Sequence, residues 1–186
     1  MANRQHDQIQ WVPTGDPATV DMTTNPYGGA LGGIYTDDDN SGREPGQWQL
    51  VQGDSTMAVT PYPGAVMWWA DKTRFRVTTS AARRGLYAGV VGRLRRDGTE
   101  VPNGPGAGHY FFIQKGGRAI VKLIDVPTAN PGDTGQFVTP SAVAGKADCL
   151  AAGAAATYPL VGREQGWYNV AAREVWVDLS NSDYED

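Results

Sequence analysis

Ala65-Val66-Met67-Trp68-Trp69 is the stretch on which the fold turns. It follows a Pro61-Tyr62-Pro63-Gly64 turn and carries five apolar residues in a row. Neighbours in a strand point to opposite faces, so Trp68 and Trp69 put one indole on each. Both rings can be buried only if both faces are covered. The pair therefore reads as one core ring and one partly exposed ring, or as a core ring and an intersubunit anchor of the kind that dominates interface hot spots.

Short strands continue on either side. Trp48 to Val51 precedes the Gly53-Asp54 turn, and Met57 to Thr60 follows it. In Arg74-Phe75-Arg76-Val77-Thr78 basic and apolar residues alternate, so Arg74 and Arg76 are expected on one strand face. Gly85 to Leu94 is another apolar run, closed by Asp97-Gly98. Tyr110 to Gln114, Lys115-Gly116-Gly117 and Ala119 to Ile124 read as a hairpin, with glycines supplying the positive φ of a tight reversal. Glu174-Val175-Trp176-Val177-Asp178-Leu179 alternates cleanly, with the two valines and Leu179 on one face. The segment Ser141 to Ala156 is Ala-rich, interrupted by Gly145 and Gly153, and is expected to form a short helix or irregular turns.

Among 186 residues there are 24 glycines and 12 prolines with no fixed period. Strands separated by such turns predict an all-β fold, a small β-barrel or β-sandwich. The body spans residues 47–186. Residues 1–46 read as a long, mostly irregular N-terminal arm, broken by Pro13-Thr14-Gly15-Asp16-Pro17 and by Asn25-Pro26-Tyr27-Gly28-Gly29. Trp11, Tyr27, Ile34 and Tyr35 give that arm something to bury on a partner.

The net charge of −4 is unevenly spread. Lys72, Arg74, Arg76, Arg83, Arg84, Arg93, Arg95 and Arg96 form a basic run without an acid between them. Residues 1–50 hold seven acids against two bases. An acidic chain is a poor default nucleic-acid binder, and opposite charges in different regions suit docking to a copy or to a complementary protein. No stretch approaches the roughly 18 apolar residues of a membrane helix, and Met1 to Trp11 lacks a signal-peptide core, so a soluble, unexported chain is expected. The single cysteine, Cys149, fits a reducing compartment.

Candidate chemistry is sparse. His6 lies in the arm, and His109 at a strand start reads as structural. Cys149 lacks a neighbouring His or Asn and reads as a small core residue. There is no Gly-x-Ser-x-Gly elbow, and neither Gly28-Gly29 nor Gly104-Pro105-Gly106 leads into the Gly-Lys-Ser/Thr of a phosphate loop. Asp37, Asp39, Ser41 and Gly42 mimic the start of a calcium loop, but its twelfth position is Trp48 where a bidentate Glu is needed. No catalytic, cofactor or metal site is expected. Protein-interface candidates are Trp11, Tyr27, Tyr35, Trp68, Trp69, Arg74, Arg76 and Trp176, chosen because Trp, Tyr and Arg carry most interface energy. Trp176 is singled out because it sits between Glu174 and Asp178, opposite the apolar face of its strand.

One resemblance bears on role. Gly117-Arg118-Ala119-Ile120-Val121-Lys122-Leu123, Pro131-Gly132-Asp133, Val138-Thr139-Pro140-Ser141, Ala144-Gly145-Lys146-Ala147, Pro159-Leu160-Val161-Gly162-Arg163 and the closing Glu174 to Leu179 run in the order found in head decoration (cement) proteins of tailed bacteriophages. The span that resembles them is His109 to Leu179; it is a pattern of turns and small residues. The resemblance implies a non-enzymatic virion protein, assembled in the host cytoplasm. It would bind the outside of the capsid as a dimer or trimer and bridge neighbouring major capsid proteins. The alternative is a carbohydrate- or receptor-binding β domain of a virion, with its tryptophans as a stacking platform.

Overall fold

A computed structural model describes residues 16–25, 31–37, 46–95, 98–151 and 153–179. The strands are β1 (Ile34–Asp37), β2 (Gly46–Gly53), β3 (Val66–Asp71), β4 (Arg76–Thr78), β5 (Tyr87–Val91), β6 (Tyr110–Gly116), β7 (Arg118–Lys122), β8 (Phe137–Pro140), β9 (Ala147–Cys149), β10 (Gly162–Asn169) and β11 (Glu174–Leu179). Two short 3₁₀ turns, Pro17–Thr19 and Ala81–Arg83, accompany them. The chain is all-β, as the turn-separated apolar runs predicted.

Strands β2, β4, β3, β5 and β6 form a ring, because β6 pairs back onto β2 and closes a five-stranded barrel. β1 adds outside the ring along β2. The remaining strands form a second sheet in the order β7-β11-β10-β8-β9. It curls enough that Leu123, just past β7, bridges Ala147 of β9.

The quoted stretch sits where these layers meet. Ala65, Met67 and Trp69 join Val51, Val77, Ala88, Val91, Phe111 and Ile113 inside the barrel. Val66 and Trp68 face the other way, into a core shared with Val121, Val138, Val161, Val175 and Val177 of the second sheet. Both faces of β3 are covered, so both indoles are buried, Trp68 fully and Trp69 nearly so. Burying such a ring is worth roughly 4–6 kcal/mol of apolar transfer. The expectation of a partly exposed ring at Trp68-Trp69 is corrected: neither indole is open to a partner.

The Tyr110–Ile124 hairpin is also corrected. β6 and β7 are real strands joined at Gly117, whose φ is +79°. They lie in different sheets, β6 in the barrel and β7 against β11. Gln114 clamps the switch point, its Nε2 donating to the carbonyls of Gly116 at 3.2 Å and Arg118 at 2.9 Å. The turn residues were legible, but glycine permits a reversal without dictating which strand the chain meets next.

Two further expectations change, and for a third the structure takes the irregular turns over the helix. Met57 to Thr60 is a loop, because the Thr79 hydroxyl, in place of a neighbouring strand, satisfies the Val59 backbone on both sides (3.1 and 2.7 Å). β4 begins only at Arg76, because Asp71 Oδ1 accepts from the backbone N–H groups of Thr73 and Arg74 and curls the chain. Arg74 therefore lies in a turn and does not share a strand face with Arg76. Ser141 to Ala156 forms no helix over its described residues; the three-residue β9 lies within it.

The described parts of the N-terminal segment pack on their own body. Met22 bridges Tyr110, with backbone hydrogen bonds of 3.0 and 2.7 Å. Ala18, Val20, Leu31 and Tyr35 lie on Trp48, Leu50 and Phe112, the outer face of β2 and β6. At Gly32, φ is +85° and a Cβ would fall 2.3 Å from the Phe75 ring, so this position needs glycine for both shape and space. Residues 16–25 and 31–37, mostly irregular as expected, thus pack on the chain's own body.

A candidate interaction face on the second sheet

The apolar face of β11 carries Val175, Val177 and Leu179 into the core. Its other face carries Trp176 and Asp178 outward. In the register, Arg163 of β10 lies opposite both Phe137 of β8 and Asp178, and Asp178 lies opposite Arg118 of β7. One row thus runs Phe137, Arg163, Asp178, Arg118 across four strands.

Beside that row the pairing of β10 with β11 is irregular. Glu164 opposes Val177 and Tyr168 opposes Val175, so three residues of β10, Gln165 to Trp167, face the single residue Trp176. This bulge is built on Gly166, at φ +77°. A Cβ there would meet Thr134 Oγ1 at 2.5 Å. Bulges bend a strand and re-aim its side chains. Here Trp167 is brought against Trp176, ring centroids 6.2 Å apart and planes at 62°. Trp167 keeps 39% of its surface exposed although it is a large apolar residue.

The two arginines of the face lie near aromatic rings. The Arg163 guanidinium lies 4.4 Å from the Phe137 ring centre and that of Arg118 6.0 Å from the Trp176 ring. Arg118 Nε is also 3.6 Å from Asp178 Oδ1, and Gln165 Nε2 donates to the other oxygen of Asp178. Stacking and pairing fix these long side chains before any partner arrives, which lowers the entropy lost on binding.

The sheet beneath is braced from within. Glu164 is fully buried; Gly132 N donates to its Oε2 at 2.7 Å and the Cys149 thiol to its Oε1 at 3.0 Å. Burial, and then the Glu164 carboxylate, push the Cys149 thiol pKa well up, so the nucleophilic thiolate is disfavoured. At the seam with the barrel, Glu174 Oε1 receives Arg93 Nε at 3.0 Å and Lys122 Nζ at 3.2 Å. Arg93 Nη2 reaches Glu100 as well, at 2.9 Å.

Of the predicted interface residues, Trp176 is on this face. Trp68 and Trp69 are core. Tyr35 is half-buried against its own body. Arg74 is exposed in the turn, 3.7 Å from Asp71, and Arg76 is half-buried at the start of β4. Trp11 and Tyr27 lie outside the described residues, as do His6 and positions 38–45 of the acidic loop. Sequence reasoning missed Trp167, Phe137, Arg118 and Arg163. The available signal was Gly166 between polar residues and a tryptophan, the mark of a bulge.

Arg93 is spent on Glu174 and Glu100. Arg84 lies 4.6 Å over Tyr158, at the edge of an open depression of about 470 Å³ floored by Ala81, Ala82 and Gly85. Hydrogen bonds from Thr56 chiefly, aided by Arg76 and Arg83, hold the Asp54 carboxyl below its usual pKa. His109 Nδ1 sits 2.6 Å from Asp21 Oδ1, which also accepts from Gly106 N, so the imidazole ties the N-terminal segment to the barrel. Among the described residues no three His, Cys, Asp or Glu side chains gather as a metal site requires. No protein family, no curated protein and no solved structure matches the chain.

Proposed function

We propose that this chain is a structural virion protein that decorates the outside of a tailed-phage head and bridges neighbouring major capsid proteins. The observation that carries a binding role is the exposed part of the outer face of the second sheet. There Trp167, Trp176 and two arginines near aromatic rings sit on a sheet whose opposite face is buried. Trp and Arg on a rigid base are the residues that dominate protein-protein hot spots. The phage head as the place of binding rests on the resemblance of His109 to Leu179 to decoration proteins. Attachment through two or three copies would multiply a modest contact by effective concentration.

The packing of residues 16–25 and 31–37 on their own body counts against a bridging arm built from those residues. The contact is accordingly assigned to the sheet face. A carbohydrate-binding role draws support from exposed Trp167 beside Gln165, but two rings at 62° do not offer one stacking plane.

The test is to prepare heads with and without the protein and follow their disruption by heat. Stoichiometric binding and a higher disruption temperature are expected. Equal stability together with no binding rejects the proposal.

A further inference from the structure

Resting on that binding role, we infer that the outer face of the second sheet takes a protein surface that presents an Asp or Glu carboxylate beside an apolar side chain. Arg163 would receive the carboxylate, and the Trp167/Trp176 pair the apolar group.

The carboxylates on this face are already occupied within the fold: Glu174 by Arg93 and Lys122, Asp148 by Thr128, and Asp178 by Arg118 and Gln165. Arg163 lies directly across the strand pair from Asp178, yet among the described residues its contact is the Phe137 ring. Arg163 is exposed and no carboxylate pairs with it among the described residues, so its guanidinium N–H fork can take a carboxylate in bidentate geometry. Next to it, the Gly166 bulge holds a half-exposed indole. A cationic fork with an apolar ledge at its side is complementary to an anion with an apolar neighbour.

The same bookkeeping disfavours a second copy of this face as the occupant. A two-fold contact is self-complementary, so each face would have to offer the other a spare carboxylate. Asp178 is already drawn to Arg118 and Gln165 of its own face. Neutral sugars would leave Arg163 without a counter-charge.

The experiment uses the full chain and two capped peptides, one alternating Asp and Leu, the other alternating Asn and Leu. Indole N–H signals are followed by NMR as each is added. The Asp peptide should move the Trp167 and Trp176 signals, leave Trp68 and Trp69 in place, and bind at least about ten-fold more tightly than its Asn twin. In Arg163→Gln the preference should vanish; in Arg163→Lys most of it should go, because a point charge replaces a fork. Unchanged signals from Trp68 and Trp69 report that each variant is folded. Equal binding of the two peptides, binding of neither, a neutral oligosaccharide that moves the same signals more strongly, or shifts that grow with protein concentration alone would each overturn the inference. Head binding separates it from the proposed function. If heads bind Arg163→Gln as well as the parent, this inference falls and decoration stands. If the Asp peptide binds and heads do not, decoration falls and this inference stands.

Discussion

Trp68 and Trp69 are adjacent in sequence and lie in separate cores. Trp167 and Trp176 are nine positions apart and touch. The first pair shares a strand covered on both sides, by the barrel lumen and by the second sheet. The second pair lies on the other face of that sheet, which is closed at Glu174 and Ile120 and stays partly open at Trp176, Asp178 and Trp167. The same residue type thus does two jobs, and the number of covered faces decides which. Where both faces are closed an indole holds layers together. Where one stays partly open, an indole such as Trp167 keeps part of its surface in solvent.

The widest separation should appear between Trp68→Ala and Trp176→Ala. Removing Trp68 empties a site in the shared core and should lower unfolding free energy by about 3–5 kcal/mol. Removing the half-buried Trp176 should cost clearly less, about 1–2 kcal/mol, yet weaken partner binding by at least ~2 kcal/mol if it is a hot spot. Urea unfolding and head binding of both variants measure this. Similar stability losses for the two would erase the distinction between the pairs.

Glu174 tests the link between the layers next. It stands on β11, two residues from Trp176, but its carboxylate is buried between Arg93 and Lys122. Glu174→Gln leaves two cations without their shared anion. Arg93 keeps Glu100 and Lys122 is partly exposed, so the loss should sit near the lower end for a broken buried pair, about 3 kcal/mol. Buried pairs are weakly screened, so the loss should persist when urea titrations are repeated at high salt. A penalty that disappears with salt would place the network at the surface.

Gly166 separates the shape of the open face from its chemistry. Gly166→Ala puts a Cβ on a backbone at φ +77° and against Thr134. The left-handed conformation alone costs about 1–2 kcal/mol for a residue with a side chain. Thr134→Ala removes the Oγ1 that the new Cβ would meet, so the double variant should recover part of the loss and leave the backbone share. If the bulge aims Trp167, Gly166→Ala should also weaken head binding although both indoles remain. Unchanged binding would mean that the ring pair forms without the bulge.

These contrasts were unequally legible in the sequence. Alternation exposed the strand character of β3 and β11, and it placed Val175, Val177 and Leu179 on one face. The adjacency of Trp68 and Trp69 posed the question of two covered faces, but the covering strands come from residues up to 179, and no local pattern names them. The same reason defeated the hairpin at Gly117: strand period is local, strand partner is not. Strand β10 was hard to see because Gly162-Arg163-Glu164-Gln165-Gly166 is polar and glycine-rich, although Glu164 is buried. Its carboxylate is satisfied by Gly132 and Cys149, which are distant in sequence. Trp176 was found because its strand alternates; Trp167 was not, because a bulge breaks the alternation that would have marked it.

The smallest effect concerns Tyr62, at the seam between the loop before β3 and the second sheet. Its hydroxyl donates to the Ala144 carbonyl at 3.3 Å, and burial raises its pKa from 10.0 to about 12. At neutral pH, Tyr62→Phe should cost no more than about 1 kcal/mol, the usual worth of one hydrogen bond. The sign of the alkaline effect follows from the raised value. The unfolded chain loses this proton near pH 10 and the folded chain near pH 12, so Tyr62 supports folding fully below 10 and progressively less between 10 and 12. Burial raises Tyr87 in the same direction, so the parent should lose stability across that window more steeply than Tyr62→Phe, which retains Tyr87 alone of the two. Urea midpoints at pH 9, 10 and 11 compare the slopes. Identical slopes would mean that Tyr62 is solvated in the folded chain, and that the seam between barrel and second sheet is open to water at the loop that leads into Trp68 and Trp69.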